Sequence, residues 1–325
     1  MALKKIIVAI FEPKLLNNMF GFRNNKGCHG ALKKLTYDIE KNDTNFVVEA
    51  DIKGFFDNIN HNKLIKCIEL HIKDLNIIRL IKRFLKAGII EYGIYYENDK
   101  GTPQGSILSP ILANIYMYYM LVKWFEEDVK VKCKGFASIV NYADDFVCCF
   151  QYQNEADNFY RILLPNRLRL GDLELAQDKT RLIRFGKSAE KYCKGRKPET
   201  FDFLGFIHYC SKSRNGFYRV KRKTSKKKFN QKVKEYKIWL KKNRNKPLVQ
   251  IIETTKKKLR GHYNYYGITD NSRMIGKYRR TVINNLYKYL NKRSQRRSYT
   301  WEEFKILVKC FDLPKEKIMV NIYAK

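Results

Sequence analysis

The sequence predicts an α+β fold in which helices pack on one face of an antiparallel sheet, followed by a strongly basic all-α region. Three observations carry this. Up to about residue 210, short runs rich in β-branched and aromatic residues alternate with segments of helical apolar spacing. Of the formal charge of +34, residues 1–200 carry +8 and residues 201–325 carry +26, so the chain changes character late. Asp144 and Asp145 stand between two apolar runs, Ala137–Val140 and Phe146–Phe150, which places two carboxylates at the tip of a hairpin. With 325 residues, 44% of them hydrophobic, the chain builds a large core shared among two or three domains. The divisions read as 1–45, a leading segment; 46–210, a sheet-bearing domain; and 211–325, a basic helical domain.

In chain order, the start through Phe11 is basic and then apolar, and Glu12-Pro13 ends it without a small-residue cleavage site, so it reads as a helix and not a signal peptide. Phe20–His29 is a glycine-punctuated loop with two cations, suited to lying on a phosphate backbone, and a helix follows from about Gly30 to Lys41. Phe46–Asp51 is an apolar strand that ends in a carboxylate. Asn60 caps a helix with Leu64, Ile65 and Ile68 on one face, and a second helix from about Leu75 to Ala87 stops at Gly88. Residues 89–100 read as a hairpin, and 101–106 as an irregular Gly/Pro loop. Ser109-Pro110 reads as N-cap and first turn of a long apolar helix to about Glu127. After the acidic hairpin come a helix from about Asn154 to Leu168 and strands at 173–176 and 180–185. A polar basic linker at 187–200 precedes strands 203–209 and 217–221, joined by a turn at Gly216.

Beyond Thr224 the pattern is helical over roughly 225–243, 247–264 and 272–293, with a short helix after Thr300. Tyr236, Trp239, His262, Tyr263, Tyr265, Tyr266, Tyr278, Tyr287 and Tyr289 are interleaved with the cations. Some of these supply the buried stripe that helices need, and together with the charge they suit a domain that grips RNA. The eight cysteines form no Cys-x-x-Cys pair and histidines number five, which suggests neither a zinc module nor a disulfide framework and fits a reducing cytoplasm or organelle matrix. No apolar run approaches bilayer-spanning length, so no membrane partner is expected.

A close acidic pair repels itself unless a cation or proton neutralises it, and magnesium prefers carboxylate oxygens. An isolated Asp-Asp is more often an acidic turn facing solvent; here the surrounding blocks decide. Phe20–Leu32, Val48–His61, Gly101–Gly105 with Ser109–Ile115, Tyr142–Phe146, Lys179-Thr180 and Phe201–Phe206 resemble, in order and spacing, the successive blocks of a group II intron-encoded reverse transcriptase. The helical tract with Arg260–Tyr266 is similar to the thumb and maturase region of that family.

The resemblance implies a right-hand polymerase palm at 46–210, a residual fingers segment leading into it at 1–45, and a thumb or maturase-like RNA-binding domain at 211–325. It implies that Asp51 and Asp144 ligate two magnesium ions, with Asp145 completing the cluster and the Ile52 carbonyl as a further ligand. It casts Phe56, five residues after Asp51, as a steric gate against ribonucleotides, Gln104 and Gly105 as lining of the nucleotide pocket with Lys179 among the substrate-binding residues, and Leu204-Gly205 as a loop that positions the primer end. Deoxynucleoside triphosphates, an RNA template, a DNA primer and structured intron RNA are the implied substrates and partners. Relative to the family, the chain is expected to lack most of the fingers, which a partner chain would then supply, and any C-terminal endonuclease. Alternatives to an intron polymerase are an RNA-binding maturase without polymerase activity, and a related bacterial reverse transcriptase serving antiviral defence or CRISPR-linked spacer acquisition.

Overall fold

The computed structural model describes residues 2–87, 89–91, 94–96, 99–103, 105–193, 197–213, 215–293 and 298–324. The backbone divides into two compact units, one of residues 1–204 with 209–220, the other of residues 205–208 with 221–325.

The first unit is built on a four-stranded antiparallel sheet of order β4-β5-β1-β6, with β1 at Phe46–Asp51, β4 at Ala137–Tyr142, β5 at Asp145–Phe150 and β6 at Arg181–Arg184. Two short strands, β2 (Ile89–Glu91) and β3 (Ile94–Tyr96), form the separate expected hairpin. One sheet face, bearing Phe46, Val48, Ala50, Phe146, Cys148 and Phe150, joins a core with helices on either side of the hairpin in sequence. Those helices are α1 (Ala2–Phe11), α4 (His61–Glu69), α5 (Leu75–Lys86) and a rod that starts as α6 (Ser109–Met117). The rod passes through π-helical turns at Tyr118–Val122 and Phe125–Val129 to α7 (Lys130–Lys132), about a turn beyond the expected end. A second rod runs from α8 (Gln153–Asn158) through a π-helical turn to α9 (Leu164–Leu170). The helix α2 (Cys28–Lys41) contacts β4 and β5, and β7 (Phe201–Phe203) contacts β1 and β5, so β5 is buried along nearly its whole length.

Local chemistry explains several boundaries. Asn60 caps α4 by accepting from the Lys63 amide, as its position predicts. Ser109 is not the cap of α6: it is the first helical residue, and its hydroxyl bonds the Pro103 carbonyl instead. The expected strand at 173–176 is reduced to a bridge between Leu175 and Ile52, because Leu173 is held at the end of α9 by a bond to the Leu168 carbonyl. Within the expected linker a short helix, α10 (Ala189–Tyr192), forms.

Strand β7 pairs with β8 (Phe206–Lys212), which pairs with β9 (Tyr218–Thr224). The β7–β8 turn is the two residues Leu204 and Gly205, both at positive φ (52° and 77°), the conformation a tight hairpin of this length demands. In the second unit α11 (Lys226–Asn243), α12 (Leu248–Tyr266) and α13 (Ser272–Leu290) pack as a bundle, with α14 (Trp301–Cys310) started by a Thr300/Glu303 capping box. Tyr236, His262, Tyr263, Tyr266 and Tyr278 are buried in it, His262 stacking on Tyr278 at 3.7 Å between ring centres. Burial lowers the His262 pKa to about 3, so it is a neutral core residue. None of the nine aromatic and histidine residues picked out among the cations is fully exposed. Among the described residues no helix is long and apolar enough to cross a membrane.

Candidate active site

The acidic hairpin is fixed from below by buried polar contacts. Its turn has two central residues, Ala143 and Asp144, and Ala143 takes φ 57°, a left-handed conformation that costs energy for a residue with a Cβ. Asn141, fully buried at the end of β4, donates from Nδ2 to the Ala143 carbonyl at 2.7 Å and holds that turn. The segment before α2 runs beside it: Asn141 N–H donates to the Asn18 carbonyl and the Phe20 N–H to the Asn141 carbonyl, both at 2.9 Å. Gly21 then passes so close that a Cβ there would sit 2.6 Å from the Ala143 nitrogen. The Phe20–His29 loop therefore supports the hairpin, and its two cations serve the protein itself. The Arg23 side chain is 5% exposed, paired with Glu12 at 2.8 Å, and donates to the carbonyls of Leu15, Leu16 and Met19. Lys26 bonds Asn17. The expectation that this loop lies on phosphate is corrected for Arg23, whose donors are consumed internally.

Strand pairing brings the carboxylates together. Asp51, last residue of β1, stands directly opposite Asp145, first residue of β5, and Asp144 precedes it in the turn. Burial, and then the charges of Asp51 and its neighbours, raise Asp144 and push Asp145 up to about 7. The Asp145 carboxylate accepts one long bond, 3.4 Å, from the Leu204 N–H of the β7–β8 turn. Lys179 closes on Asp51 at 2.5 Å. Asp51, Ile52, Phe56, Asp144 and Lys179 line a single cavity of about 800 Å³, whose lining does not include Asp145.

The donor set fits a hard cation in charge and chemistry. Three carboxylates share one sheet end, two of them are raised by burial and mutual repulsion, and an ammonium already sits on the third. Among the described residues no group of three acidic, imidazole or thiol side chains is placed to hold a metal ion.

Adjacent phenylalanines divide their labour. Phe55 is 1% exposed and belongs to the core, whereas Phe56 is half-buried, reaches the cavity and meets the rings of Phe55 and Phe22 edge-on. The Gly101–Gly105 loop is pinned beside it: Thr102 N–H donates to the Phe56 carbonyl at 2.7 Å, and Gly101 N–H to the Ile59 carbonyl at 2.7 Å. Gly101 has no room for a Cβ against the Asp57 backbone, the nearest atom being 2.7 Å away, at φ 82°. Gly105, at φ 87°, is exposed and does not line the cavity. Gln104 lies outside the described residues. Residue-type reasoning passed over Glu49, which stands two residues before Asp51 and so on the same strand face; the period of two was the available signal.

The description of the reverse transcriptase (RNA-dependent DNA polymerase) family matches residues 1–208. The chain belongs to that family. Residues 226–307 match a second description, the group II intron, maturase-specific domain. It is 48% identical over 117 residues to the group II intron-encoded protein LtrA of Lactococcus lactis subsp. cremoris, a match covering 36% of this chain and 19% of LtrA. Over 134 residues it is 35% identical to a putative COX1/OXI3 intron 1 protein of Saccharomyces cerevisiae, covering 41% of this chain and 16% of that one. The matched stretch thus spans about a fifth or less of the length of these relatives. The fold is shared with the apo telomerase of Candida tropicalis at TM-score 0.51 and 14% identity, over 95% of this chain and 53% of that one.

Proposed function

We propose that this chain is an RNA-directed DNA polymerase of group II intron type that also binds structured intron RNA. The observation that carries the reading is the pairing of Asp51 against Asp145, with Asp144 in the adjoining turn, at the edge of a cavity walled on its other side by Phe56. Asp51, Asp144 and the Ile52 carbonyl are the proposed holders of two magnesium ions, with Asp145 completing the negative charge around them. Bound there, the ions supply activation of a primer 3′-hydroxyl and neutralisation of the departing pyrophosphate. The protein's own residues do the rest. Phe56 excludes a 2′-hydroxyl beneath the incoming sugar, so that deoxynucleoside triphosphates are preferred. The Gly101–Gly105 loop, tied to the Phe56 carbonyl, fixes that ring's backbone. Lys179, which pairs with Asp51 and lines the same cavity, would donate to triphosphate oxygens there. The exposed lysines and arginines of α11 to α13 bind the RNA phosphates.

Primer extension on an RNA template, with this chain alone, magnesium and deoxynucleotides, tests the proposal. Template-dependent extension is the expected result, and none at any divalent ion concentration overturns it.

A further inference from the structure

We infer that Glu49 is a positioning residue, tied to Arg181 and to the Asp202 amide, that sets the β7–β8 turn against Asp145 and so fixes the spacing of the carboxylate cluster. The inference rests on the proposed metal-dependent reading of that cluster and deepens it.

Glu49 lies on β1 between buried Val48 and Ala50, with its side chain 13% exposed. Its two oxygens do different work. Oε2 accepts from Arg181 Nε at 2.9 Å, across the β1–β6 pair where the two residues stand directly opposite. Oε1 accepts from the Asp202 backbone N–H at 3.0 Å, inside β7. Two residues later, in the turn just past the end of that strand, the Leu204 N–H is the donor to Asp145. A chain of contacts thus runs from β6 through β1 to β7 and back to β5, and Glu49 is its central link. Arg181 is itself anchored by donating to the Thr200 carbonyl at 2.6 Å, just before β7 begins, so it braces the same turn from the other side.

This arrangement matters because the bond it presents to Asp145 is long, 3.4 Å, and a small shift of β7 breaks it. Asp145 would then lose its hydrogen-bond donor while still feeling three other carboxylates, Asp51, Asp144 and Glu49 itself. A like-charged group two residues from Asp51 would otherwise be a poor neighbour for the cluster, and Arg181 offsets its charge at the sheet edge. Groups that orient the ligands of an ion, without touching it, commonly set its affinity by an order of magnitude or more.

Titration of the full-length chain with Mn²⁺, followed by the loss of free-ion magnetic resonance signal, reads the cluster directly without requiring turnover. Three variants separate position from charge. Glu49→Ala removes both bonds, and ion affinity is expected to fall about tenfold. Glu49→Gln keeps an acceptor for the Asp202 amide, and affinity is expected to stay within about threefold of the parent. Arg181→Met leaves the Glu49 charge but unties it; affinity is expected to fall, whereas a role through charge alone would make the ion bind more tightly. Thermal unfolding of each variant identifies one that does not fold, in which case the remaining two decide. Tighter binding by Arg181→Met, a Glu49→Gln loss as large as that of Glu49→Ala, or parental affinity in all three overturns the inference. If the parent binds Mn²⁺ and extends a primer while Glu49→Ala matches it, only the positioning role falls. If the parent does neither, the metal reading falls and this inference with it.

Discussion

At the scale of single residues, the site is a balance of repulsion held in place by neutral bonds. Asp144→Asn removes one charge from the proposed metal-holding set and leaves the exposed lysines of α11 to α13 in place, so primer extension is expected to drop more than about a hundredfold with RNA affinity unchanged. Parental extension rates would return Asp144 to an ordinary turn. Asp145 makes a pH prediction in the ion-free protein. Its folded pKa, about 7, is above the ordinary carboxylate value of 3.8, so the folded state holds the proton more tightly than the unfolded one. That contribution is fully present below about pH 4 and is lost as pH rises through about 7, at no more than about 1.4 kcal/mol per pH unit. Melting temperatures with chelator, compared between the parent and Asp145→Asn, should therefore diverge across that window, the parent losing more stability on the alkaline side. Phe56 offers a third check. Phe56→Ala is expected to admit ribonucleotides while retaining deoxynucleotide use, since the core position is taken by Phe55; unchanged sugar discrimination in a folded variant removes the gate.

At the scale of elements, the acidic hairpin depends on a segment more than a hundred residues away in sequence. Gly21→Ala would place a methyl group 2.6 Å from the Ala143 nitrogen, against backbone that cannot rotate away. The expected result is a destabilisation of about 1–3 kcal/mol with a larger proportional loss of primer extension, because the displaced atoms carry Asp144. Arg23→Ala should act on stability and not on RNA affinity, costing about 2 kcal/mol, since it strips a buried ion pair and several bonded carbonyls. A loss of RNA binding without destabilisation would restore the phosphate-loop reading. The elements themselves were legible in the sequence wherever periodicity was strong, as in β1, β4, β5 and the basic helices. Short elements escaped where polar composition hid them, as in α10, or where apolar residues were claimed by a helix end, as at Leu173.

At the scale of the whole molecule, the excess of positive charge and the proposed catalytic cluster fall on different stretches of the chain. Full-length protein carrying Lys241→Gln, Lys242→Gln, Lys257→Gln and Arg260→Gln, all at exposed positions of α11 and α12, tests where RNA is held. RNA affinity should fall, and its log–log salt dependence should flatten by roughly 0.7 for each phosphate contact removed from a single strand. The same number of changes at exposed Lys66, Lys73, Lys82 and Lys86 should alter it much less. Equal effects from both sets would mean that RNA is bound by net charge spread over the chain.

The sequence by itself determined the family, the longer strands and helices, the charge division and the three aspartates, because these rest on residue type and spacing along the chain. Tertiary structure alone decided what those residues do to one another. Which aspartate faces which follows from the register of β1 on β5, and that Arg23 is internal follows from the course of a loop around its carbonyls. That Glu49 reaches β7 follows from a contact spanning more than 150 residues of chain, which no local pattern encodes. Likewise, Tyr236, Tyr263, Tyr266 and Tyr278 of the basic helices lie inside their bundle because three amphipathic faces must be filled at once, and one helix read alone does not show which face that is.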